Sequence, residues 1–250
     1  MTEPLGIPAL ITQSFRLLFS NFGTLFPLAF ALALASAALP LSEFEVTFRS
    51  ALVGLLTVLV GQFLNGVIVG VTSLLTLGAL QGKRHTLGEL TAETLRHIVP
   101  IVVLGIALSI AWGVGMLLFI IPGLYIGARF LPWIQATVFE NAGWSGLARA
   151  QELTEGYRWP LVGAALVVGI VIISAGGVIG IIAGIGTMIL AIPLETFSVG
   201  GWPAVVFNAG ISGIFYALLV IFTTLVYARL REIKEGVGIA QIVLSPQPRE

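Results

Sequence analysis

The chain has 250 residues, 57% of them hydrophobic, with 30 glycines and only 10% charged side chains. An ordinary soluble domain carries roughly 25% charged residues, so this composition does not supply a water-facing surface and makes the bilayer the solvent. Twelve basic side chains balance twelve acidic ones, which leaves no global positive field for nucleic acid, and the absence of cysteine excludes disulfides, thiolate metal sites and cysteine nucleophiles.

Six apolar stretches are long enough to read as spans, at about 23–41, 52–80, 99–121, 123–139, 161–190 and 202–228. A helix crosses the hydrocarbon core with roughly 20 such residues. The fold class expected is therefore all-α: a polytopic membrane protein with six transmembrane helices. The fourth stretch is short and follows the third through Ile121-Pro122-Gly123, which reads as a tight hairpin.

Between the stretches the sequence calls for amphipathic helices at the membrane surface. Residues 1–22 place Ile7, Ile11, Phe15, Leu18 and Phe22 on one face. The link at about 86–98 opens with Thr86-Leu87-Gly88-Glu89, a capping box in which the Thr hydroxyl and Glu carboxylate satisfy free backbone donors. It then lines Leu87, Leu90, Thr94, Leu95 and Ile98 along one face. The link at about 145–157 begins at Ser145, a capping residue, and lines Leu147, Ala150, Leu153 and Tyr157, with Gly156 near its end. All three are expected to lie in the headgroup region, apolar face down. The chain reads as one membrane domain over 1–250, with a tail over 229–250.

Orientation follows from Lys and Arg. Ten of the twelve fall on one side: Arg16, Lys83, Arg84, Arg96, Arg149, Arg158, Arg229, Arg231, Lys234 and Arg249. Arg49 alone falls opposite, and Arg129 lies inside the fourth stretch. Both termini are expected in the cytoplasm of a bacterial inner membrane.

Arg129 is the residue that stands out. It sits about four residues in from the outer end of the fourth stretch, where arginine is costly, roughly 2.5–3.5 kcal/mol at mid-helix on insertion scales, so it is expected to face the bundle interior, a polar cavity or a snorkelling route to the outer headgroups. Two roles fit. It binds an anionic lipid headgroup or solute, or it locks the bundle by pairing with Glu195, Asn65 or carbonyls freed near Pro132. Gln62 and Asn65, three apart on one helix face, either line a polar path with it or act as packing glue. Gly66 with Gly70, and Gly176, Gly180 and Gly184 at four-residue spacing, are small-residue strips for close helix contact, internal or with another chain.

Chemistry-bearing motifs are sparse. Glu140, ahead of Arg149, Glu152, Glu155 and Arg158, reads as a solvated or ion-paired face in preference to a catalytic carboxylate pair. His85 and His97 stand twelve apart with no further His or Cys, so neither a metal nor a cofactor is expected. The glycines before Lys83 have the wrong spacing for a phosphate loop, and Gly143-Trp144-Ser145-Gly146 is not a nucleophile elbow.

One run of residues carries a resemblance. Ile121-Pro122-Gly123-Leu124-Tyr125 is followed by Arg129, Pro132, Glu140, Ala148-Arg149-Ala150, Leu153-Thr154 and Gly156-Tyr157-Arg158-Trp159. The tail Tyr227-Ala228-Arg229-Leu230-Arg231-Glu232-Ile233-Lys234-Glu235-Gly236 continues it. This pattern resembles the bacterial membrane-domain family named after glycerophosphoryl diester phosphodiesterases. In some relatives a separate soluble domain carries the metal ligands and catalytic acids. The likeness here is to the membrane part, so it implies a membrane module and no catalytic residues. It marks Pro122, Gly123, Glu140, Arg149, Gly156 and Trp159 as an interfacial motif. The functional expectation is a non-catalytic accessory or scaffolding module acting on a partner or on local lipid. Its partners are expected to be membrane lipids, another membrane protein or a second copy. The alternative is a small transporter or lipid-handling protein built around Arg129, Gln62 and Asn65.

Overall fold

The computed structural model describes residues 5–38, 48–83, 85–189 and 202–242, and every regular element among them is helical. Helix α1 (Ile7–Ser20) turns through 94° at Asn21 into α2 (Phe22–Ala38). Helix α3 (Phe48–Gln81) ends in a Schellman reversal, where Gly82 at φ 68° lets the Lys83 N–H reach the Gly78 carbonyl at 2.9 Å. Helix α4 (Leu87–Arg96) starts at the capping box the sequence predicts. The Glu89 N–H donates to Thr86 Oγ1 and the Thr86 N–H to the Glu89 carboxylate. Then come α5 (Ile98–Leu118), α6 (Ile120–Arg129), α7 (Trp133–Phe139), α8 (Gly146–Thr154), α9 (Arg158–Ile189) and α10 (Trp202–Glu235).

Four of these helices, α3, α5, α9 and α10, are long and apolar enough to cross a membrane. The bent α1–α2 pair makes a fifth when counted as one span.

The fourth apolar stretch is not the single helix expected. It breaks at Phe130-Leu131-Pro132 into α6, ten residues long, and α7, seven residues long. Pro132 has no N–H to continue the ladder, and its ring clashes with a preceding turn. The hairpin also turns earlier than Ile121-Pro122-Gly123. Phe119 alone, in an extended conformation, joins α5 to α6, and Pro122 and Gly123 sit in the first turn of α6. Gly123 serves close packing instead: a Cβ there would meet Met116 Cγ at 2.5 Å, and one at Gly115 would meet Gly123 Cα at 3.0 Å.

The core sits where α3 and α10 finish. The stretches 66–78 of α3 and 217–230 of α10 are almost wholly buried, and they pack around α7, whose every side chain is buried. Gly146 allows α8 to close on α7, because a Cβ there would collide with Thr137. The opposite ends of the long helices carry exposed Leu52, Leu55, Ile173 and Ile181, apolar surface that suits lipid.

The short amphipathic helices do not simply float apolar face down. Helix α4 buries Leu90 and Thr94 against α3, leaving Leu87 and Leu95 exposed, and α8 buries Ala150 and Leu153 against α7 and α10. Helix α1 buries Leu10, Ser14 and Leu18, while Phe15 and Phe22 of the predicted face join Phe19 in a stacked aromatic row outside. Ser145 does not cap α8. It lies in a 3-10 turn and its hydroxyl donates to the Ala142 carbonyl at 2.7 Å.

Candidate functional site

Two sets of charged residues meet near the buried core, and they are built differently. The first is a closed ring drawn from three elements. Glu140 ends α7, Arg149 lies on α8, and Arg231 and Glu235 are one turn apart on α10. Arg149 Nε donates to the Glu140 carboxylate at 2.6 Å, and Arg149 Nη2 to Glu235. Arg231 Nε donates to Glu235 at 2.9 Å and stands 3.8 Å from Glu140. The Tyr227 hydroxyl donates to Glu140 at 2.7 Å, so both carboxylate oxygens are taken. The four ring side chains are only 17–25% exposed. Burial alone lowers the basicity of the Arg149 guanidinium. Hydrogen bonds and charge from Glu140 and Glu235 more than reverse that and hold it above the ordinary arginine value.

The Glu140–Arg149 half of this ring is the ion-paired face the sequence suggests. Its closure through Arg231 and Glu235 is not visible from spacing, because 86 residues separate Arg149 from Glu235. The only signal is the regular run of alternating charge in the tail.

The second set lies where α6 ends, α8 ends and α9 begins. Arg129 sits at the C-terminus of α6, its guanidinium 5.3 Å from the Phe130 ring centre. Its backbone carbonyl accepts from the Thr154 hydroxyl at 2.7 Å. One helical turn earlier, the Tyr125 hydroxyl accepts from Arg158 Nη1 at 3.2 Å, and the Tyr125 ring lies 5.8 Å from Trp159. Gly156, at φ 84°, makes the turn that brings Arg158 and Trp159 back onto α6. The Nε atoms of both Arg129 and Arg158 are enclosed without a hydrogen-bond partner, and neither guanidinium meets a carboxylate among the described residues. Glu195, offered as a partner for Arg129, lies outside the described residues. Arg158, Tyr125 and Trp159 thus join Arg129.

Gln62 and Asn65 do not. Gln62 Nε2 donates to the Ser109 hydroxyl at 2.7 Å, tying α3 to α5, whereas Asn65 accepts from the Tyr216 hydroxyl, tying α3 to α10. Asn65 instead shares a cavity of about 250 Å³ with Gln135, Tyr216 and Thr223. Gln135 is fully buried on α7. Its amide donates to Ser73 at 3.1 Å and Thr223 at 2.9 Å, bridging α3 and α10. A lone amide inside Trp133-Ile134-Gln135-Ala136 was the available signal.

The glycine strips divide. A Cβ on Gly66 would meet Ile101 at 2.6 Å and one on Gly70 would collide with Thr94, so these two let α4 and α5 close on α3. Around Gly176 and Gly180 nothing among the described residues lies within 4 Å of a Cβ, and the side-chain surroundings of Gly184 lie outside the description. No family model, curated protein or solved structure matches the chain.

Proposed function

We propose that the chain is a non-catalytic, multi-pass module of the bacterial inner membrane that organises anionic lipid at its cytoplasmic face. In this reading the chain crosses six times with both termini inside, and the broken α6–α7 pair makes the fourth crossing. The placement of Lys and Arg supports that orientation.

The observation that carries the function is the contrast between the two charged sets. The Glu140 ring neutralises itself, two arginines against two glutamates. Arg129 and Arg158 hold positive charge with no carboxylate beside them among the described residues, flanked by Tyr125 and Trp159 where the apolar run of α9 begins. Aromatic and basic side chains together suit the headgroup layer, where a lipid phosphate completes the guanidinium hydrogen bonds. The engagement of Gln62 and Asn65 by two different helices argues against a polar path shared with Arg129.

The test is native mass spectrometry of the chain released from nanodiscs of equal phosphatidylglycerol and phosphatidylcholine. Wild type is expected to retain phosphatidylglycerol selectively, and the Arg129→Gln/Arg158→Gln double variant to lose most of that selectivity. Unchanged retention in a variant that melts like wild type would sink the reading.

A further inference from the structure

A second place with ligand chemistry lies apart from both charged sets, inside the elbow between α1 and α2. There a cavity of about 670 Å³ opens between the elbow and the end of α3. That volume lies within the range of small-molecule sites, roughly 300–1,000 Å³. Its lining is two-toned. Leu17, Leu25, Leu75 and Ala79 give an apolar side, while Ser20, Asn21, Thr24, Lys83 and His85 give a polar one, and no carboxylate is among the described lining residues.

Ser20 and Asn21 are hydrogen-bonded within the elbow, to the Leu17 carbonyl and to each other, so the open hydrogen-bonding capacity lies at the Lys83 and His85 end of the polar side. His85 is held beside Gly78, its Nδ1 is 3.9 Å from Glu89, and its Nε2 is enclosed without a partner. Glu89 itself is committed to the capping box of α4, so it does not fill the cavity. Lys83 is exposed and forms no ion pair among the described residues. Asn21 and Thr24 stand at the start of α2, the end whose peptide dipoles favour an anion. The end of α3 has the opposite polarity, and Lys83 follows it directly.

A bulk anion would want the polar side alone. An amphiphile uses both, and the outer wall of the elbow is the aromatic row Phe15, Phe19 and Phe22, which suits acyl chains. We infer that this cavity binds the phosphate headgroup of a membrane phospholipid, with Lys83 on the phosphate, the His85 ring beside it and the apolar side along the glycerol and first acyl carbons. The inference does not depend on Arg129 or Arg158.

The chain has two histidines, so ring-labelled histidine NMR reports on the site directly, with His97→Gln assigning the signals. The labelled chain is placed in phosphatidylcholine nanodiscs and compared with discs containing phosphatidylglycerol. Phosphatidylglycerol is expected to move the His85 signal. Ala79→Phe, which fills the cavity from its apolar side, is expected to abolish that response while leaving the bilayer charge as it was. Lys83→Gln is expected to weaken it about tenfold, the loss of one charge-assisted hydrogen bond. The His97 signal serves as the fold control in each variant, and Arg129→Gln/Arg158→Gln should leave the His85 response intact. An equal response in Ala79→Phe, or none in wild type, would overturn the site. A response to inorganic phosphate in phosphatidylcholine discs, with none to phosphatidylglycerol, would overturn the lipid as its occupant and assign a soluble anion.

Discussion

Glu140→Gln is the sharpest probe of how the folded end is held together. The substitution keeps shape and removes one negative charge from a ring in which Glu140 faces Arg149 at 2.6 Å, Arg231 at 3.8 Å and the Tyr227 hydroxyl at 2.7 Å. Two guanidiniums then share Glu235, with the more exposed Glu152 3.5 Å from Arg149. A hydrogen bond to a charged group contributes about 1.5–3 kcal/mol, and glutamine retains part of the tyrosine bond. Breaking a fully buried pair costs about 3–5 kcal/mol and a surface pair 0–1 kcal/mol. At 17–25% exposure the ring lies nearer the buried limit, so a loss of about 2–3 kcal/mol is expected. Arg149→Met alone should cost a similar amount. The double variant should recover part of it, because Arg231 and Glu235 remain as a neutral pair. The assay is reversible unfolding by SDS in mixed micelles, followed by circular dichroism, across the full double-mutant cycle. A coupling below about 0.5 kcal/mol would mean the two sites act independently and would refute the ring.

Substitutions at Gly70, Gly180 and Gln135 read other parts of the fold by the same unfolding assay. Gly70→Ala pushes a methyl into Thr94 and should lose about 1–3 kcal/mol by overpacking, whereas Gly180→Ala, with no described neighbour within 4 Å, should stay within about 0.5 kcal/mol of wild type. Gln135→Leu leaves the Ser73 and Thr223 hydroxyls without their shared donor and should lose about 1–3 kcal/mol. Gln135→Asn, too short to span both, should recover little of it.

Local chemistry made part of this architecture legible. The Thr86–Glu89 capping box depends only on residues three apart, and the close approach at Gly66 and Gly70 follows from missing side chains. The Glu140–Arg149 pairing joins neighbouring elements across a short turn. What the sequence hid has two physical causes. Hydropathy does not tell a lipid-facing side chain from one facing the protein core, since both environments are apolar. The faces of α4 and α8 therefore read as surface-lying when they pack against other helices. The apolar run through 123–139 likewise concealed a break that Pro132 alone announced. The second cause is distance along the chain. Arg149 meets Glu235, Asn65 meets Tyr216 and Gln135 meets Thr223 only after the last helix is in place.

Helix α7 has a consequence for how the protein is made. Seven residues form too short a segment for a helix stable by itself, and too short a one to cross a bilayer. Its neighbours include α8, which follows it on the ribosome, and the end of α10, which emerges more than 80 residues later. Until then Trp133, Ile134 and Phe139 have no finished place to go. The centre of the molecule is thus completed last, and the newborn chain carries this apolar segment with α3 beside it but without α10 until the final helix is made.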